Sequence, residues 1–139
     1  MAFDISTRRA SETAEIELKN GDGTPLKDDE GNAIGVVIHG PGSKTYRQAE
    51  AERSRKRAKR VRESGGKLES AMDDAADDQI AFLSAITVKF TGDVSHPDAE
   101  KKADLARAIY ADDSLGFIRD QVSAEANDWS AFTKGSAKG

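Results

Sequence analysis

The chain has no cysteine among its 139 residues, which removes disulfides, thiolate nucleophiles and cysteine-ligated metals together. Histidine is nearly as scarce: His39 and His96 are the only two, each beside a turn signal, with Pro41 two residues after the first and Pro97 directly after the second. Neither belongs to a Ser or Cys nucleophile motif, a glycine-rich phosphate loop or a zinc spacing. Enzyme chemistry therefore has no assembled constellation to rest on, and no metal or cofactor is expected. The segment Met1 to Ala10 lacks the apolar core of a signal peptide, and no stretch approaches the run of about 20 apolar residues that spans a bilayer. The expectation is a cytoplasmic protein with no membrane partner.

What the chain does have is charge. Charged residues make up 33% and hydrophobic residues 37%, enough for one small domain with a modest core. The net charge of −4 exerts no overall pull toward nucleic acid, but the charges are arranged in blocks. Arg47, Arg53, Arg55, Lys56, Arg57, Lys59, Arg60 and Arg62 are interrupted only by Glu50 and Glu52, and Asp73, Asp74, Asp77 and Asp78 follow. A basic block of this kind can release counterions from phosphates. It lacks interleaved aromatics for base stacking, and an acidic helix folding back through Gly65-Gly66 would supply its counter-charge. A solvated or internally paired helix is the preferred reading, and nucleic acid the disfavoured partner. The four aspartates sit where a helix N-terminus favours negative charge, and nothing beside them suggests a metal cavity.

Residues 1–11 show no periodicity and read as a flexible arm, and residues 133–139 as a flexible tail. Between them residues 12–132 form the expected single domain. Ala14, Ile16 and Leu18 alternate with polar neighbours from Thr13 to Lys19, the period of a strand with one buried face, and Ile34 to Ile38 returns as a second strand, so a hairpin spans 13–39. The connecting loop is too irregular for calcium: counted from Asn20, Pro25 stands where an EF-hand needs Gly and Gly31 where it needs the bidentate Glu. Gly40-Pro41-Gly42 stops the strand and Ser43 can cap a helix over Lys44–Glu63, rich in Ala, Arg, Lys and Glu. Leu68, Met72, Ala75 or Ala76, Ile80, Leu83, Ile86 or Thr87, and Phe90 recur at three- and four-residue steps, predicting a second helix from Lys67 to about Phe90. Asp98 can cap a third through Tyr110, and a fourth begins near Asp113 or Ser114 with Leu115, Ile118 and Val122 on one stripe. The expected architecture is α+β, an N-terminal β-hairpin followed by about four helices over 43–132, predominantly helical.

The apolar stretch from Ile80 to Phe90 is wide enough to leave faces over after covering the hairpin, and amphipathic helices recognise other helices through such stripes. At this point the chain resembles the tail assembly chaperones of long-tailed bacteriophages and prophages. The matching pattern is the N-terminal strand with Glu15, Glu17 and Leu18; Gly40-Pro41-Gly42 followed by Tyr46-Arg47; the basic helix; Phe90-Thr91-Gly92; Ala108-Ile109-Tyr110-Ala111-Asp112; Ile118-Arg119-Asp120-Gln121-Val122; and Phe132. It departs from some similar proteins in having Phe90 and Thr91 where they carry a tryptophan before the central Gly.

The resemblance implies a non-enzymatic role in viral morphogenesis in the bacterial host cytoplasm: transient binding to the long helical tape measure protein before tail-tube subunits polymerise around it. The tail tube protein is a second expected partner, and self-association is left open. For many relatives it also implies a longer form, made by ribosomal slippage near Lys134 to Gly139. The partner-binding residues expected on this reading are Phe82, Ile86, Phe90, Tyr110, Ile118, Val122 and Trp129. Two alternatives stand beside it: a structural tail or connector protein retained in the virion, and a small nucleic-acid-binding protein using Arg53, Arg55, Lys56, Arg57, Lys59, Arg60 and Arg62.

Overall fold

Alternation at the start of the chain makes the first strand, and the rest of the fold is built on its buried face. The computed structural model describes residues 2–63, 65 and 68–133, with side chains of 68–74 excepted. Strand β1 (Thr13–Glu17) pairs antiparallel with β2 (Gly35–His39), and β2 pairs antiparallel with β3 (Thr87–Thr91), in the order β1-β2-β3. Helices α1 (Lys44–Glu63), α2 (Leu68–Ile86), α3 (Leu105–Ala111) and α4 (Gly116–Ala126) complete an α+β domain with an N-terminal hairpin, 52% helical. Ile16, Leu18, Ile34, Val36 and Ile38 from the hairpin meet Ile80, Phe82, Leu83 and Ile86 of α2, Ile109 and Tyr110 of α3, and Ile118, Val122 and Ala126 of α4 in one core. Each buried Ile, Leu, Val or Phe contributes roughly 1.5–3 kcal/mol.

Ser43 caps α1 as its type and position predict. Its Oγ accepts from the Tyr46 N–H at 3.1 Å and donates to the Gly40 carbonyl at 2.7 Å, with the side chain buried. Ser43→Ala leaves the helix N–H of Tyr46 without its cap, while the Gly40 carbonyl keeps the Ser43 N–H and loses only its second donor. It is expected to cost about 1–2 kcal/mol in urea unfolding; a midpoint equal to that of the parent chain would show that solvent replaces the cap.

The structure corrects the helical reading in two places. The second helix ends at Ile86, and Phe90 lies on β3 opposite Val36. At the break the Thr87 hydroxyl donates back to the Leu83 carbonyl at 2.7 Å and lies 2.8 Å from the Tyr110 hydroxyl, and the β-branched Thr87, Val88 and Thr91 suit a strand. The free side of β2 then supplies a hydrogen-bonding partner that no local period reveals. A register shift between Val37 and Ile38 leaves Val88 as an extra, exposed residue. The third helix starts at Leu105, not near Asp98: the Asp98 N–H donates to His96 Nδ1, and a 3-10 turn over Lys102–Asp104 leads into α3.

Segments read as loops are partly ordered too. The β1–β2 connection folds into two turns. Asp22 accepts from the N–H and hydroxyl of Thr24, Asp28 accepts from the N–H groups of Glu30 and Asn32, and Leu26 runs between Leu18 and Ile34 through backbone hydrogen bonds. These bonds hold both carboxyls below the usual carboxylate range, Asp22 chiefly through the Thr24 hydroxyl and Asp28 chiefly through the Asn32 N–H. The N-terminal arm carries a 3-10 turn at Ile5–Arg8, and the Ser11 N–H donates to the Phe132 carbonyl. Thr133 closes the last helical turn. The side chains of Leu68, Met72, Asp73 and Asp74, and residues Gly66 and 134–139, lie outside the described residues.

His96 takes a structural place, only 9% exposed at its side chain, with Nε2 at 2.9 Å from Asp112 Oδ2. That contact, with the Ser114 N–H on Oδ1, holds the Asp112 carboxyl below the usual range and ties the 93–101 loop to the α3–α4 junction. Burial pushes the Tyr110 phenol up from 10 to about 12. A phenol with a folded pKa above its unfolded value stabilises the fold fully below pH 10, and that contribution fades as pH rises from 10 toward about 12. The gap is worth roughly 3 kcal/mol. Denaturant midpoints compared at pH 9 and 11.5 should fall more steeply for the parent chain than for Tyr110→Phe; parallel slopes would mean the phenol ionises without opening the core.

Candidate partner-binding surfaces

The expected binding stripe is mostly core. Phe82, Ile86, Tyr110, Ile118 and Val122 are buried, Phe90 is half-buried with its ring 6.2 Å from that of Tyr110, and only Trp129 is exposed. The physical reason is the number of faces requiring cover: α2, α3, α4 and the C-terminal turn all pack on a sheet of only three strands, and this uses the apolar surplus. Five of the seven expected contact residues thus belong to the domain's own core.

Trp129 is 54% exposed. It lies at the seam between the start of α1 and the turn after α4, where its ring would stand 3.3 Å from a Cβ built on Gly42. Next to it Tyr46 Oη lies 2.9 Å from Asn127 Oδ1, and the Phe132 ring fills the space beside Gly40 so closely that a Cβ there would meet it at 2.5 Å. Gly40 against Phe132, Gly42 against Trp129 and Tyr46 against Asn127 make one seam spread over 93 sequence positions, in which Gly42 and Trp129 are exposed while Gly40 and Phe132 are buried.

The opposite charge blocks come together in part. Arg60 reaches across from α1 to Asp78 on α2, and Asp78 is buried, 7% exposed at its side chain. Arg53 pairs with Glu50 and lies 4.0 Å over the Phe82 ring, and Arg55 pairs with Glu52. Arg55, Arg57, Lys59 and Arg62 are exposed, Lys56 is half-buried, and Asp77 faces solvent. Beyond Ala49 no residue of α1 is buried, so the outer part of this helix stands clear of the core. Because Asp78 is buried against a half-buried Arg60, its replacement is not the small surface effect that an exposed pair would give.

The sheet has two edges. Along β3 a groove of about 460 Å³ is lined by Val88, Phe90, Val94, Leu105 and Ala106 among others. Along β1 a groove of about 560 Å³ runs between the strand and the wall made by Glu125, Ala131 and Phe132. At one end of β1 the Gln121 side chain behaves like a residue of a neighbouring strand, accepting from the Lys19 N–H at 2.8 Å and donating to the Lys19 carbonyl at 2.7 Å. The contact joins residues 102 apart, and no local signal could have disclosed it.

Among the described residues no three His, Asp or Glu side chains form a group that could hold a metal, and no helix is long and apolar enough to cross a membrane. Compared with protein-family models, curated proteins and solved structures, the chain shows no match.

Proposed function

We propose that this protein is a tail assembly chaperone of a long-tailed bacteriophage or prophage, a non-catalytic binder that keeps a tape measure protein soluble in the bacterial host cytoplasm. The observation that carries the reading is the Trp129 seam. Gly40, Gly42, Tyr46 and Phe132, all within the pattern that carries the family resemblance, lie along the seam that holds this exposed tryptophan, with Gly42 directly against its ring. An exposed apolar ring set among charged surfaces suits a transient cover. It can shield a stripe on a long helix, yet a polymerising tube protein can displace it, because one anchor gives limited affinity.

The binding element is thereby narrowed to Trp129, since the other expected contacts are buried or half-buried. Trp129→Ala should leave the melting temperature within a few degrees of the parent while weakening capture of the co-expressed tape measure protein by roughly 2 kcal/mol, or about thirtyfold. A folded variant that keeps the partner soluble as well as the parent chain would overturn this assignment. Finding the chain in stoichiometric amount in purified tails would instead favour a structural role in the virion. The nucleic-acid alternative rests on the exposed Arg55, Arg57, Lys59 and Arg62, and requires salt-dependent DNA or RNA binding that charge reversal there abolishes.

A further inference from the structure

The β1 ladder reveals which backbone groups remain open among the described residues. Gly40 N–H donates to the Glu12 carbonyl and Leu18 N–H to the Ile34 carbonyl, so the hydrogen-bonded pairs with β2 fall on the even-numbered residues of β1. Thr13, Glu15 and Glu17 therefore turn their N–H and C=O groups to the outer edge, along the groove walled by Glu125, Ala131 and Phe132. The neighbouring-strand position is already filled at both ends. The Phe132 carbonyl takes the Ser11 N–H, and the Gln121 amide takes both backbone groups of Lys19. Between these brackets lies room for one strand of about five residues, roughly 17 Å long.

We infer that this edge receives an extended peptide segment of a partner protein, carrying Lys or Arg at every second position, which adds to the sheet as a fourth strand. The geometry supplies the pairing and the charge supplies the choice. Residues opposite Glu15 and Glu17 project on the same exposed face as those carboxylates, where opposite charges attract and like charges repel. A second copy of this strand, centred on the same position, would set Glu15 against Glu15 and is disfavoured by the same rule. The alternate side chains of the incoming strand would point to the side of Ala14, Ile16, Ala131 and Phe132, which suits small apolar residues. This inference is independent of the chaperone reading; the edge adjoins the Trp129 seam through Phe132, which lines the groove, but the backbone groups it uses are those of β1.

The test is amide hydrogen exchange of the full chain, with and without the blocked peptide Lys-Val-Lys-Val-Lys. Added peptide should slow the amides of Thr13, Glu15 and Glu17 and leave those of Ala14 and Ile16, already in the ladder, unchanged. The same peptide N-methylated at its lysine amides keeps the charge and loses the donors, so it should not protect them. Glu15→Lys with Glu17→Lys, both at exposed positions, should weaken binding about tenfold or more and shift preference to Glu-Val-Glu-Val-Glu. Equal binding of the N-methylated peptide, or protection elsewhere, would overturn the proposal. So would slow exchange at these three amides before any peptide is added: if it fades on dilution the occupant is a second copy, and if it does not, the occupant is the chain's own segment 134–139.

Discussion

Val122→Asp is expected to abolish the cooperative thermal transition of this domain. Val122 is 0% exposed and lies on the α4 stripe with Ile118 and Ala126, packed into the core shared by sheet and helices. A carboxylate placed there must either lose its hydration or take up a proton at neutral pH, and the described neighbours are apolar. The penalty is several kcal/mol on top of the lost apolar burial, against a total stability of about 5–15 kcal/mol for a natural domain. Asp120→Ala, on the exposed side of the same helix, should stay within about 0.5 kcal/mol of the parent. Far-UV circular dichroism through a thermal melt reads both, and a folded Val122→Asp chain would mean that α4 is not packed as described. For the same reason, polar replacement of Ile118 and Val122 does not test partner binding: it removes the fold that carries any surface.

Phe132→Ala should cost about 3–5 kcal/mol, the usual loss for a buried phenylalanine in a well-packed site. The ring is 0% exposed and seals the C-terminal turn against Gly40, while the Phe132 carbonyl holds Ser11. Gly40→Ala is destabilising through the same contact, since its methyl would meet the ring at 2.5 Å. Combined, the two changes should be less than additive, because the new methyl enters space the ring has left. Urea unfolding of the two single variants and the double variant checks this. Strict additivity would show that the two residues do not share a site.

Much of the architecture was legible locally. Alternation from Thr13 marked β1, the Gly40-Pro41-Gly42 stop with Ser43 placed the start of α1, and the Leu115, Ile118, Val122 stripe placed α4. Each signal arises within a few residues, from side-chain period, capping chemistry or backbone restriction. β3 escaped because Phe90 continues the helical period of α2 and also points inward on a strand. Local spacing cannot choose between the two when the deciding partner is β2, some 50 residues away. The candidate site was less legible: periodicity marks a residue as apolar and aligned, but not whether the core or a partner covers it.

The amino-acid order alone determined the N-terminal hairpin, the start of α1, the opposite charge blocks and the absence of cysteine chemistry, because these depend on residue identity and near neighbours. Tertiary structure alone decided that Phe82, Ile86, Tyr110, Ile118 and Val122 are core and that Trp129 remains exposed. It alone buried Asp78 against Arg60 and, among the described residues, left the edge of β1 open between Ser11 and Lys19. Burial and edge pairing are properties of surfaces brought together from distant parts of the chain, and their free energies exist only once those surfaces meet.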